Sequence, residues 1–130
     1  MKNTNQQKII LIADDNRERN FALRIMLEDQ YRVVEVCCNG LEAVKKVKEN
    51  KFDLIIINNN MPIMDGEKAV KQIRKIDKDV PILMTVDEGS DYPIQAREIG
   101  VDEAIINSFD TKKVQDTVHN LLVMRERALF

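Results

Sequence analysis

Apolar residues in this chain come in short runs separated by stretches with helical recurrence. Lys8 to Ala13 is a compact apolar run that stops at Asp14-Asp15-Asn16, and beyond it Ala22, Leu23, Ile25, Met26 and Leu27 recur at helical spacing. A strand followed by a helix is the expectation. Asp15 and Glu18, an oxygen acceptor with a carboxylate three residues on, have the spacing of a capping box at the start of that helix. Arg32 to Val36 is rich in β-branched residues and reads as a second strand. Asn39-Gly40 then supplies a turn, and Leu41, Val44 and Val47, with Lys45, Lys46 and Lys48 outside them, predict a short amphipathic helix.

Asp53 to Ile57 predicts a third strand whose four consecutive apolar residues suit the centre of a parallel sheet, buried on both faces. The polar Asn58-Asn59-Asn60 and the turn-forming Met61-Pro62 follow. From Asp65 to Ile76 the helical spacing returns, with Ala69, Val70, Ile73 and Ile76 on one side. Val80 to Val86 predicts a fourth strand, then a polar loop at Asp87 to Asp91 and a short, weak helix up to Ile99 that Gly100 terminates. Pro93 is tolerable only near the first turn of that helix. Ala104 to Ile106 reads as a brief fifth strand, and Asp110 caps a last helix with one apolar stripe, Val114, Val118, Leu121 and Leu122. Five strands alternating with five helices through short connections imply right-handed crossovers. The expected fold is α/β, a doubly wound five-stranded parallel sheet covered on both faces.

Composition narrows the function classes. The chain has 130 residues, 44% hydrophobic and 32% charged, which suits one globular domain and is too short for two cores. A net charge of -2 with both signs interspersed offers no broad basic face, so nucleic acid is not an expected partner of this domain. The apolar runs stop far short of the roughly 20 residues that cross a bilayer. MKNTNQQK lacks the apolar core and cleavage site of a secretory signal, so residues 1–7 read as a tail and the expected location is cytoplasmic. Cys37 and Cys38 are adjacent and fit no metal-ligand spacing; both are read as reduced and structural. His119, a lone histidine on the last helix, is read as a surface residue.

In such sheets ligands bind outside the carboxyl ends of the strands. The residues there are Asp14 and Asp15 after the first strand, Asn58 after the third, Thr85 and Val86 at the end of the fourth, and Asn107 and Ser108 after the fifth. The acidic pair in ILIADDN and the stretch FDLIIINNNMPIMDG resemble the receiver domains of the bacterial two-component response-regulator family over about residues 8–122. The resemblance implies a flavodoxin-like strand order, 2-1-3-4-5. It also implies a phosphoacceptor Asp at the position of Asn58, with Mg2+ held by that Asp, the acidic pair and the backbone carbonyl of Asn60. A Thr or Ser at the end of the fourth strand and a Lys after the fifth, here Asn107, would contact the transferred phosphoryl oxygens.

The chain departs from that pattern at informative places. An acyl phosphate needs a carboxylate nucleophile, Mg2+ needs hard anionic oxygens, and a transferring phosphoryl needs cations and donors around it. Asn58 is a neutral amide and Asn107 carries no charge. Ser108 replaces the proline usual after the Lys, and Ala104 stands where an aromatic often responds to phosphorylation. Counting from Pro81 puts Val86 at the hydroxyl position; counting back from Gly100 and Asn107 puts Thr85 there, and a one-residue slip turns a side chain to the other face. Asp14, Asp15 and the Asn60 carbonyl are therefore candidate ligands for a weakly held Mg2+, if any, because adjacent carboxylates call for a cation.

The leading expectation is a degenerate receiver that is no enzyme and acts, without phosphorylation, by binding a protein partner, an output domain or itself. The surface formed by the fourth helix, fifth strand and fifth helix would carry that contact. The alternative is a working phosphoaccepting receiver, regulating an output domain, in which Asn58 replaces the acceptor by nature or by engineering. A flavin or other small-molecule enzyme on this fold has little support, since Asp14 and Asp15 would repel a phosphate after the first strand. Residues 123–130 run past the usual domain end as an extension that could lead into a dimerising helix or an output domain.

Overall fold

The computed structural model describes residues 7–36, 39–89, 96–107 and 110–128. Cys37, Cys38, Pro93 and Ser108 lie outside them. Five parallel strands, β1 (Ile9–Ala13), β2 (Arg32–Val36), β3 (Leu54–Asn58), β4 (Ile82–Val86) and β5 (Glu103–Ile106), form one sheet in the order β2-β1-β3-β4-β5. The helices are α1 (Arg17–Leu27), α2 (Gly40–Glu49), α3 (Gly66–Ile76) and α4 (Thr111–Ala128).

The period-two alternation of the strands separates two cores. Leu11 and Ala13, Ile55 and Ile57, and Ile82, Met84 and Val86 face α2 and α3, where Ala43, Val44, Val47, Ala69, Val70 and Ile73 meet them. Ile10, Ile12, Leu54, Ile56, Leu83 and Ile105 face α1 and α4, against Leu23, Leu27, Val114, Val118, Leu121 and Leu122. Every residue of β3 and β4 is buried, as expected of central strands covered on both sides.

Several expectations need correction. Four α-helices are present among the described residues, not five: where the fourth was expected, the described part is one 3-10 turn, Ala96–Ile99. Four residues ended by Gly100 at φ 101° cannot complete an α-helical register. The cap of α1 is Asn16, whose side chain accepts from the Arg19 backbone N–H at 2.9 Å, so the capping box at Asp15 and Glu18 is off by one residue. Asn39 caps α2, and Gly40, rather than turning the chain, is its first residue. Gly40 lies so close to the Met64 carbonyl that a Cβ would collide with it, and its N–H donates to that carbonyl at 2.9 Å. Leu41 is consequently turned outward and 51% exposed, with Ala43 taking its expected place inside. Ile25 and Ile76, assigned to apolar faces, are likewise exposed.

Two features hold the strand ends where a site can form. Gly66, the first residue of α3, lies over the end of β3: an added Cβ would stand 2.5 Å from the Asn58 carbonyl oxygen and 2.7 Å from the Asn59 Cα. Between them, Ile63 takes φ 67° and the Met64 N–H donates to the Pro62 carbonyl at 2.7 Å, a tight γ-turn. A β-branched residue in that conformation stores strain.

Candidate functional site

The buried polar side chains among the described residues are Asp14, Asn20, Asn58 and Thr85, and all four lie at the carboxyl edge of the sheet or against it. Alternation explains the grouping. Asp14 continues the face of Ile10 and Ile12, Asn58 that of Leu54 and Ile56, Thr85 that of Leu83, and Asn107 that of Ile105. The α1/α4 face of the sheet thus changes from apolar to polar at its last register position. Thr85, paired with Asn58 in the β3–β4 register, is the residue turned toward that position. Val86 points the other way into the α2/α3 core.

Asn58 is 1% exposed and every polar atom of its side chain is engaged. Its Nδ2 donates to the Asn60 carbonyl at 2.8 Å, and its Oδ1 accepts from the Thr85 hydroxyl at 3.1 Å and from Asn107 Nδ2 at 3.3 Å. This orientation of the amide is the consistent one, because turning it over would set Nδ2 against the Asn107 Nδ2 donor and Oδ1 against the Asn60 carbonyl. Asn107 Nδ2 also donates to Asp87 Oδ1 at 2.9 Å, tying the end of β5 to the loop after β4.

Asp14 is buried and paired with Arg19 of α1. Arg19 donates through Nε to Asp14 Oδ2 at 2.8 Å and through a terminal nitrogen to Oδ1 at 3.0 Å, a two-pronged contact, while the Asn16 N–H donates to Oδ1 at 2.9 Å. Asn20 Nδ2 holds the Asp14 backbone carbonyl at 2.6 Å. Asp15 is more open, with an oxygen 3.8 Å from Arg19. Hydrogen bonding to Asp14, against the opposing effect of burial, and the charges of Asp14, Asp15 and Asp87 raise the guanidinium pKa above its ordinary value. Arg19, Asp87 and Asn107 line one open cleft of about 480 Å³, with Asn16, Ala22 and Ile106.

Two of the three expected Mg2+ ligands, Asp14 and Asn60, already hold partners within the chain and so fit a divalent ion poorly as arranged, while Asp15 stays open. Both Asp14 oxygens already accept from Arg19 and the Asn16 N–H, and the Asn60 carbonyl accepts from the Asn58 amide. The cation beside the acidic pair in this structure is the guanidinium of Arg19, at 2.8 Å from Asp14 and 3.8 Å from Asp15. Arg19 and Asp87 were not singled out in the sequence. With the helix cap at Asn16, Arg19 falls at the third helical position and comes back over the strand end, which a cap assigned one residue early conceals. His119 is exposed on α4, on a different element from these residues. Ala104 is half-buried against the α2/α3 core.

Comparison with known proteins agrees with this architecture. The family model for the response regulator receiver domain matches residues 10–119. The chain is 35% identical to the transcriptional regulatory protein ResD of Bacillus subtilis over 94% of its own length, but spans only half of that relative. It is 31% identical to the chemotaxis protein CheY of Halobacterium salinarum, covering 88% of this chain and 97% of CheY. Among solved structures, chemotaxis protein CheY4 of Vibrio cholerae superposes with a TM-score of 0.81 at 28% identity, covering 88% of this chain and 98% of that one. No helix among the described residues is long and apolar enough to cross a membrane. With its flavodoxin-like sheet, its polar strand ends and these relatives, the chain belongs to the response regulator receiver domain family, signalling modules of two-component systems that are not themselves enzymes.

Proposed function

We propose that this domain is a phosphorylation-independent, cytoplasmic receiver that signals through protein contact. The observation that carries this reading is the Asn58 side chain, buried at the expected acceptor position and bonded to Asn60, Thr85 and Asn107. An amide is no nucleophile toward a phosphoryl group, and Asn107 brings a hydrogen-bond donor where a fixed positive charge is needed. Thr85 and Asn107, at the phosphoryl-contact positions, are spent on Asn58 itself. The working unit is residues 8–122, and the partner is an output domain, a separate protein or a second copy meeting the surface around the Ala96–Ile99 turn, β5 and α4. Residues 123–128 continue α4 without a break and are tied back to the start of β1 by the Lys8–Glu126 ion pair at 3.5 Å, so the extension shares the module's orientation.

The test is an amide spectrum of the protein with Mg2+, with and without beryllofluoride. The expected result is no change at Asn58, Thr85 or Asn107; shifts spreading from these residues overturn the reading. Because Asp14 and the Thr85 hydroxyl remain in place, a second reading has Asn58 as the one blocked step in an otherwise competent site. The Asn58→Asp variant separates the two: a beryllofluoride response restored by that single change favours the second.

A further inference from the structure

The carboxylates of Asp14, Asp15 and Asp87 all act on the guanidinium of Arg19. We propose that Arg19 is the resident cation of the acidic edge, occupying the place a divalent ion would take and making the domain's conformation independent of Mg2+. The geometry argues for occupancy by design of the chain. A guanidinium is always charged, and its planar fork matches both Asp14 oxygens, at 2.8 and 3.0 Å. It stands in the first turn of α1, and that turn is fixed by the Asn16 cap and by the Asn20 bond to the Asp14 carbonyl, so the cation is delivered at no cost in free-ligand entropy.

An entering Mg2+ meets three obstacles. It has to compete with Arg19 for the buried Asp14 carboxylate, and it has to share the Asn60 carbonyl with the Asn58 amide that donates to it at 2.8 Å. It also finds at position 58 an uncharged amide, whose Nδ2 donates to Asn60, rather than the anionic oxygen a hard cation prefers. The contacts Asn60–Asn58–Asn107–Asp87 and Arg19–Asp14 instead close the edge with internal partners. This inference stands apart from the phosphorylation reading: a domain that binds Mg2+ would refute it and leave an amide at position 58 no better a nucleophile.

The experiment uses Mn2+ as a paramagnetic probe on the wild-type chain, together with thermal melts of wild type and Arg19→Met with and without about 10 mM Mg2+. The wild type is expected to show no selective broadening at residues 14–16 and 59–60, and a melting shift with Mg2+ below about 1 °C. Arg19→Met should melt roughly 10 °C lower, because a buried carboxylate loses its partner, and should recover about 3 °C or more with Mg2+ while gaining selective Mn2+ broadening. Should Arg19→Met not fold, Arg19→Lys, which keeps the charge and loses the fork, is expected to show the same signs at smaller size. Selective broadening in the wild type, or a variant that neither loses stability nor gains a metal response, overturns the proposal.

Discussion

Replacing Asn58 with Asp exchanges one NH2 group for an oxygen at a position that is 1% exposed. The variant loses the donation to the Asn60 carbonyl, about 1 kcal/mol net, and sets two oxygens against each other across the 2.8 Å now spanned by that bond. Ionised, the new carboxylate is buried beside Asp14, which follows Ala13 just as Asn58 follows its partner Ile57 in the β1–β3 register, at a cost of several kcal/mol. Thr85 and Asn107 already donate to the amide oxygen, so exchanging it for a charged acceptor returns only the difference, about 1 kcal/mol each. The balance is a destabilisation of about 2 kcal/mol at neutral pH, with a definite pH signature. Burial and the Asp14 charge favour the neutral carboxyl, raising its folded pKa above the unfolded value of about 4. Below the unfolded pKa the protonated group can donate to Asn60, and the variant approaches the wild type. As pH rises toward the folded pKa it loses stability by up to about 1.4 kcal/mol per unit. Urea denaturation of both proteins from about pH 4.5 to 8 measures the difference. A variant as stable as wild type at neutral pH, or one that gains stability relative to it as pH rises, refutes the account of a site satisfied by an amide.

Two further predictions concern what holds the site's surroundings. Arg74, 19% exposed, donates to the Gly100 carbonyl at 2.9 and 2.7 Å and to the Val80 carbonyl at 2.7 Å, and pairs with Asp102 at 3.1 Å, joining α3 to the approaches of β4 and β5. Arg74→Ala should cost about 3 kcal/mol in urea unfolding by leaving these acceptors without their donor, and Arg74→Lys should restore only part of it; a loss under about 0.5 kcal/mol would contradict the network. Ile63→Gly should raise stability by about 0.5–1 kcal/mol, since Ile63 is 81% exposed and held at φ 67°, where a β-branched side chain is strained and glycine is not. A lower denaturation midpoint in that variant would show that the Ile63 side chain contributes more than its backbone costs.

The strand and helix order and the parallel sheet were legible because short buried runs and helical recurrence leave a one-dimensional record. Arg32–Val36 was read to the residue, and the other strands to within two at each end. Boundaries governed by side-chain capping were less legible. Asp15 and Asn16 are both good acceptors, and which one receives the Arg19 N–H depends on where the chain leaves β1. Leu41 was misplaced because a heptad-like spacing cannot show that Gly40 is pressed against Met64 from a different element.

The sequence alone determined the chemistry available at the carboxyl edge: an amide at 58, an uncharged side chain at 107, and two carboxylates at 14 and 15. It left open which of Thr85 and Val86 joins them, and the β3–β4 register, which opposes Thr85 to Asn58, decided that. Only the tertiary structure brought Arg19 onto Asp14 and Asn58 onto Asn60, Thr85 and Asn107. The physical reason is that nucleophilicity and charge belong to single residues, whereas a hydrogen-bond partner depends on angstrom-scale positions set by the packing of α1, β1, β3, β4 and β5 together.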